Sequence, residues 1–339
     1  MNRPLRIFLL IMAALLATGA AYEMSQRPLW SYYSLGLFAA IWLFWRLLRL
    51  NNFSKINKSQ FLLGVSSLSG LLLSPAFWLP IPFSLLLFIA FIPLFYVENE
   101  IKKQRGRAIW QVFKYAFHAF VVWNILTTFW VANSALIPGI IAIFANSFLM
   151  TLPFLLFHIV RTAQNKSWFA YFAFITFWLT FEFIHLRWDI SWAWLTLGNG
   201  LAGCTPFIQW YEYTGALGGS LLILLTNVFL YKAWLDRSKI SVTIIVINII
   251  ILAAISFFYY QNFDFSTPQK TAEVVIVQPN YEPHFQKFEV SSGTQLNHFL
   301  ALSDQKVTTQ TNYLLFPETS FDRVDVNKIG QSGDRKSVV

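Results

Sequence analysis

A glutamate one residue behind a proline, at the end of an apolar run, is the feature of this sequence best placed to do chemistry. In Phe316–Ser320, FPETS, Glu318 falls just past Tyr313–Phe316 (YLLF). That run suits a buried parallel strand, and open α/β sheets place working groups at the carboxyl ends of such strands. Pro317 withdraws a donor from the ladder and stiffens the turn. A partly desolvated carboxylate emerging there can act as a general base. Taken alone, the same letters also read as a helix start with Glu in its first turn.

A second group is Glu182, His185, Arg187 and Asp189, at the end of the apolar run Trp168–Leu186. Ionisable groups at that depth are functional candidates, and mutual pairing at the interface with snorkelling is the plainer account. Trp188, Trp192, Trp194 and Trp210 follow in the loop Arg187–Thr214. They fit an aromatic belt, or a half-buried loop that shapes a phospholipid entrance. From this region Glu182, Arg187, Trp194 and Asn199 are the candidate substrate-entry or structural positions. His118 and Asn227 suit interhelical hydrogen bonds, and Gly215, Gly218, Gly219 and Ser220 suit close helix contact. Cys204, the single cysteine, excludes an internal disulfide and any multi-cysteine metal site and reads as a small structural residue. No metal and no cofactor is expected.

These residues must be positioned by elements built for lipid. The chain is 56% hydrophobic and 12% charged, too few charges to cover a soluble globule of 339 residues. The net charge of +9 is no sign of nucleic acid, because Lys and Arg concentrate in loops between apolar runs. Membrane helices are expected at Leu5–Ala21, Ser31–Leu48, Phe61–Trp78, Ile81–Val97, Ile109–Val131, Ile137–Ile159, Trp168–Leu186, Ala216–Leu235 and Ile240–Tyr259. Pro80 and Pro82 make a tight hairpin, while Pro138 and Pro153 bend the sixth helix or mark its entrance. Leu5–Ala21 follows Arg3 and Arg6 but leads to Tyr22, Glu23 and Met24, so it reads as an uncleaved anchor.

With the N-terminus cytoplasmic, the inner loops collect most of the cations before the tail, from Arg3 and Arg6 through Lys102–Arg107 (KKQRGR) to Lys239. The outer loops before the tail hold Arg27 and Arg187. Everything after Tyr260 is then expected outside the cytoplasm. Composition turns soluble at Asn262–Gln269, and Glu273–Val277 (EVVIV) suits a buried strand. A helical stripe follows, with Leu296, Phe299, Leu300 and Val307 along 295–307, and then YLLF. Strand, helix, strand makes the two strands parallel neighbours. One such unit cannot cover both faces of its sheet, so the soluble domain reads as incomplete.

FPETS, some 40 residues after a strand ending in VQPN (Val277–Asn280), resembles the opening of the nitrilase, or carbon-nitrogen hydrolase, family. That resemblance implies an αββα sandwich in which the glutamate, here Glu318, is the general base of a Glu-Lys-Cys triad. Tyr281–Phe288 (YEPHFQKF) is similar to the segment after the first strand in membrane-bound members. FEFIHLRWDISWAWLTLGN (Phe181–Asn199) and Gly215–Asn227 are similar to the Glu-bearing helix end, Trp-rich loop and Gly-rich helix start of the apolipoprotein N-acyltransferases. The resemblance runs over about 61–321. It divides the chain into an extension at 1–55 with two helices, a seven-helix membrane domain at 56–261 and a partial periplasmic nitrilase domain at 262–339.

The resemblance implies a bacterial inner-membrane enzyme that moves an acyl chain from a phospholipid, through a cysteine thioester, to the amine of a lipoprotein's diacylglyceryl-cysteine. No nucleic-acid partner is implied. The family's lysine segment and nucleophilic cysteine lie beyond FPETS. Lys336 and Cys204 do not match them, so this chain alone is expected to be an inactive fragment. A membrane-tethered amidase with another acceptor is an alternative. So is a non-catalytic scaffold or transporter, which would need paired broken helices and a mid-membrane charged site; the sequence gives no sign of either.

Overall fold

The computed structural model describes residues 3–26, 32–49, 57–79, 81–103, 108–134, 136–164, 167–263, 271–281, 290–317 and 320. The chain divides into two compact units, Met1–Phe263 and Asp264–Val339.

The first unit is helical. Its α-helices are α1 (Arg3–Gln26), α2 (Tyr33–Arg49), α3 (Lys58–Leu73), α4 (Ile92–Lys102), α5 (Ile109–Thr128), α6 (Val131–Ser134), α7 (Leu136–Ala163), α8 (Ser167–His185), α9 (Tyr211–Leu235) and α10 (Lys239–Gln261). Among the described residues seven helical segments are long and apolar enough to cross a membrane. Two of the nine expected runs fall outside that measure. Tyr33–Leu48 is shorter, and Ile109–Thr128 carries Gln111, Lys114, His118 and Asn124.

The fourth run corrects the sequence reading, because it is not one α-helix. Phe83–Ile89 is a 3-10 helix and α4 starts only at Ile92. Pro93, in the first turn of α4, has no N–H for the Ile89 carbonyl, and its ring crowds that carbonyl, which favours starting a new helix here over continuing one. In a bilayer the freed backbone groups need protein partners. Asn227 of α9 supplies them, accepting from Phe91 N–H at 2.8 Å and donating to the Leu87 carbonyl at 2.7 Å. Ser69 of α3 donates to the Ala90 carbonyl at 2.6 Å and accepts from Leu94 N–H at 3.2 Å. Asn227 thus makes the interhelical bond expected of it.

Aromatic packing fills the space around this break. Phe91 meets Trp178 edge-on at 4.9 Å, and Phe95 meets Phe174 at 5.2 Å and Tyr171 at 5.5 Å, all buried. Lipid tails are as apolar as these rings, so fit rather than expulsion from water holds the helices together. Each aromatic pair contributes about 0.5–1.5 kcal/mol beyond area burial. Gly70 lets α3 approach α5, since a Cβ there would meet the Ala119 carbonyl. His118 shares a hydrogen bond of 2.8 Å with Ser67 across the same contact, as expected. Pro153 lies inside a continuous α7.

The second unit contains β1 (Glu273–Ile276), α11 (Ser292–Asp304) and β2 (Thr311–Leu315). The strands pair in parallel, with Val274 opposite Tyr313 and Ile276 opposite Leu315. Together the two units have the expected fold class, a polytopic helical bundle followed by the start of an α/β domain. The expected burial of the strands does not hold, because one helix covers one sheet face. Val275 and Leu314 turn inward, while Val274, Ile276, Tyr313 and Leu315 are exposed. The helical stripe shifts as well. α11 faces inward through Gln295, Phe299 and Ser303, and Leu296, Leu300 and Val307 are exposed.

Candidate functional site

Glu182, in the last turn of α8, is 3% exposed. Its Oε1 accepts from the Trp178 indole N–H and from Leu197 N–H, each at 2.9 Å. Trp178 lies one turn earlier on the same helix face. Leu197 belongs to the returning loop, so the carboxylate fastens loop to helix. The next residue is held just as firmly. Gly198 N–H donates to Ser220 Oγ of α9 at 2.9 Å, and the Gly198 carbonyl accepts from Tyr211 Oη at 2.8 Å. A Cβ on Gly198 would run into the Ala216 carbonyl, and one on Gly219 into the Tyr211 hydroxyl.

These contacts correct two expectations. The glycines at the start of α9 admit the loop rather than a neighbouring helix. Gly215, at φ +61°, breaks the helix between a first turn, Tyr211–Thr214, and the continuous helix that starts at the expected Ala216. Nor do the ionisable groups pair with one another. Trp188 donates to His185 Nδ1 at 2.9 Å, and the Arg187 guanidinium lies 3.7 Å from the Phe183 ring centre and donates to the Phe183 carbonyl. Neither Arg187 nor Asp189 forms an ion pair among the described residues. Glu182 Oε2 is buried with no hydrogen-bond partner at bonding distance among the described residues, and the Ser220 side chain is the polar group that approaches this carboxylate.

The loop forms two 3-10 stretches, Ala193–Leu195 and Leu197–Phe207. Trp194 is half exposed, edge-on to Trp130 at 5.2 Å and to Trp192 at 4.9 Å. Asn199 is exposed and closes the loop on itself by donating to the Ala193 carbonyl at 3.0 Å. Cys204 is buried, as expected of a structural residue. Of the four candidates, Glu182 is the buried anchor and Trp194 and Asn199 lie on the loop it fixes. Arg187 stands apart.

The sequence reading missed a second buried polar group. Glu98 of α4 is fully buried and ion-paired with Arg161 of α7, and its other oxygen is 2.8 Å from His158 Nδ1. Arg161 also donates to Asn99 Oδ1 at 2.7 Å, and its guanidinium lies 5.3 Å from the Tyr171 ring of α8. By its position just past the sixth apolar run, Ile137–Ile159, Arg161 counts among the inner-loop cations, and the structure places it in the last turn of α7. The available signal was the spacing of His158 and Arg161, one turn apart on one face of α7.

In the second unit, Val277 N–H donates to the Leu315 carbonyl at 2.9 Å, so the carboxyl ends of the two strands lie side by side. Asn280 turns the chain at φ 55°. Tyr281 and Phe316 flank Phe299, with ring centres 6.1 and 5.8 Å away. Pro317 follows. Glu318 itself lies outside the described residues, as does most of Tyr281–Phe288. Among the described residues no group of three or more His, Cys, Asp or Glu could hold a metal ion.

Seven candidate spans, and a buried carboxylate pinning a Trp-bearing loop between two of them, define a multi-pass membrane protein. Residues 69–229 match the apolipoprotein N-acyltransferase N-terminal domain. That stretch includes both buried carboxylates, the pinned loop and Asn227. The chain is also similar to the apolipoprotein N-acyltransferase of Chlorobaculum tepidum, 25% identical over 284 residues, covering 80% of this chain and 52% of that protein. With the apolipoprotein N-acyltransferase of Geobacter metallireducens it is 27% identical over 196 residues, 56% of this chain and 36% of that protein. These matches support the resemblance to the apolipoprotein N-acyltransferases. The chain spans about half the length of the first of these relatives and less of the second.

Proposed function

We propose that this chain supplies the membrane domain and the first strand-helix-strand unit of an apolipoprotein N-acyltransferase. The observation that carries the reading is the parallel β1–α11–β2 unit, whose second strand leads through Phe316 and Pro317 directly to Glu318. The match of residues 69–229 supports it. In the proposed reaction Glu318 takes the proton of a cysteine thiol supplied by the remainder of the enzyme. The thiolate attacks a phospholipid ester carbonyl, a lysine stabilises the oxyanion, and the lysophospholipid leaves with the proton held by Glu318. The free α-amine of a diacylglyceryl-cysteine then attacks the thioester, Glu318 takes the amine proton and passes it to the departing thiolate, and the amide forms with the thiol restored. Neither the lysine nor the cysteine is assigned within this sequence.

Both substrates are lipids, so a catalytic domain joined to a membrane bundle is the arrangement the chemistry requires. The loop pinned by Glu182, with Trp194 and Asn199 on it, is proposed as a wall of the phospholipid entrance. Orientation follows the cation distribution, with the N-terminus cytoplasmic and the second unit on the opposite side of a bacterial inner membrane. A transporter reading would draw on the interrupted fourth span. Its freed backbone groups are taken up by Asn227 and Ser69, which favours a structural break over a transport site.

The test begins with the reading frame downstream of the codon for Val339, which should encode a lysine segment and then a cysteine after a strand. The protein from that frame should transfer a labelled acyl chain from phospholipid to a diacylglyceryl-cysteine peptide. Glu318→Gln should lower the rate by about 10²–10⁴. A downstream sequence with neither residue, or full activity in Glu318→Gln, would sink the assignment.

A further inference from the structure

We propose that Arg46 of α2 and Lys114 of α5 together bind the phosphate of an anionic membrane lipid, at the end of the bundle where α8 begins. Three contacts set α2 antiparallel to the chain that runs from α5 into α6. Tyr32 meets Phe129 with ring centres 6.0 Å apart, Ser34 donates to Asn133 Oδ1 at 2.7 Å, and Trp42 stacks on His118 at 6.3 Å. Arg46 lies one turn beyond Trp42 and Lys114 one turn before His118, so the two cations fall at the same level on facing helices. The charges of both reach His118. The α1–α2 hairpin precedes the matched residues 69–229 and α5 lies within them, so this seat is formed where the extension meets the bundle. It lies at the opposite end from Glu182 and the Trp194 loop. It is therefore separate from the proposed substrate entrance and does not rest on the acyltransferase reading.

The charge balance of this end selects the occupant. Its carboxylates are Glu98, Glu100 and Asp236. Glu98 is taken by Arg161 and His158, and Glu100 by Lys58 and Lys103 at 3.1 and 2.6 Å. Asp236 closes α9, which packs on α4, α8 and α10. The stretches that follow α2 and α4 in sequence, 50–56 and 104–107, contain no Asp or Glu and add Lys55, Arg105 and Arg107. Two like charges brought to one level by packing repel unless an anion lies between them. Arg46 rests 5.7 Å from the Trp42 ring centre and Lys114 5.1 Å from that of Tyr115, and Lys114 Nζ donates to Ser59 Oγ at 3.4 Å. A ring contact uses no N–H, so the Arg46 fork stays available for two phosphate oxygens. Trp42 and Trp45, 37% and 40% exposed, lie along the same face of α2 and give acyl chains an apolar wall. That wall favours a lipid phosphate over the free ion, and basic pockets between helices near the membrane surface hold such headgroups.

The test uses the purified full chain, with bound lipid measured by native mass spectrometry. Two probes of identical acyl chains are titrated, phosphatidylglycerol and phosphatidylcholine, whose choline cancels the phosphate charge. The wild-type chain should hold phosphatidylglycerol about tenfold more tightly. Arg46→Gln with Lys114→Gln should bring the two lipids to within about twofold of each other. Lys232→Gln with Lys239→Gln removes the same charge from the same end, at α9 and α10, and should keep the preference. Inorganic phosphate distinguishes the two sources of the group: at millimolar concentration it should leave the lipid bound, and displacement would make the free ion the occupant and overturn the lipid assignment. Equal binding of the two lipids by the wild-type chain, which needs no substitution to be seen, would overturn the proposal. So would a preference that survives Arg46→Gln with Lys114→Gln, or one that the α9 and α10 substitutions also abolish.

Discussion

Two buried carboxylates sit at opposite ends of α8 and are held in different ways. At the end where α8 begins, Glu98 faces the guanidinium of Arg161 and the imidazole of His158, and both of its oxygens are engaged. At the far end, Glu182 faces no cation. One oxygen is held by an indole and a backbone N–H, and the other is buried without a partner at bonding distance among the described residues. The first arrangement ties helix to helix and spends all of its capacity on cohesion. The second ties a loop to a helix and leaves one buried oxygen without a partner at bonding distance, so the Glu182 end depends on hydrogen bonds where the Glu98 end depends on charge.

Substitutions can break this contrast, and the largest effect belongs to the ion pair. Glu98→Ala leaves Arg161 buried without its counter-charge and should destabilise the bundle by about 3–5 kcal/mol, read as a lower unfolding midpoint in detergent. An unchanged midpoint would mean that cohesion does not depend on the pair. Gly198→Val comes next. The side chain meets the Ala216 carbonyl, and overpacking of this kind costs about 1–3 kcal/mol. The loop should lift, and Cys204, now buried, should react with a maleimide. Continued protection of that thiol would show that the loop is held by something other than this close approach.

Asn227→Leu probes the break between the two ends. It strips the partner from Phe91 N–H and leaves the Leu87 carbonyl with Ala90 N–H alone, and should cost about 1–3 kcal/mol, with faster amide exchange at Phe91 as the local signature. The smallest effect sharpens the comparison most. Glu182→Gln keeps an oxygen that can accept from Trp178 and Leu197, so it should preserve stability and Cys204 protection to within about 1 kcal/mol. Glu182→Ala should lose both. If glutamine behaves like alanine, the negative charge matters at this end too, and the contrast with Glu98 collapses.

The parts of this protein that read clearly in the sequence are those set by one-dimensional patterns. Apolar runs of bilayer length gave helices near their expected places, and EVVIV and YLLF became neighbouring parallel strands. His118 and Asn227 were assigned interhelical bonds because a lone polar side chain in an apolar run has few other ways to be satisfied. What stayed hidden depended on partners distant in the chain. Pro93 could be seen, but whether it breaks the span depends on Asn227 and Ser69 being there to take the freed groups. Arg161 looked like a loop cation because Glu98 lies 63 residues away. The inward turn of Phe299, rather than Leu296 or Leu300, follows from which sheet face α11 covers.

The stitched break also has a consequence for how the protein is made. Phe91 N–H obtains its partner, and the Leu87 carbonyl its second one beside Ala90 N–H, from a residue 136 and 140 positions later in the chain. While the polypeptide is emerging, the third and fourth spans reach the membrane well before α9 exists. At bacterial synthesis rates that interval is on the order of ten seconds. Bare amide and carbonyl groups are costly in hydrocarbon, so the nascent interrupted span is expected to stay beside the insertion machinery or its water until Asn227 arrives. Insertion of this bundle is then not a sequence of independent helices released one by one, and α9 acts as the closing step that lets an earlier segment settle.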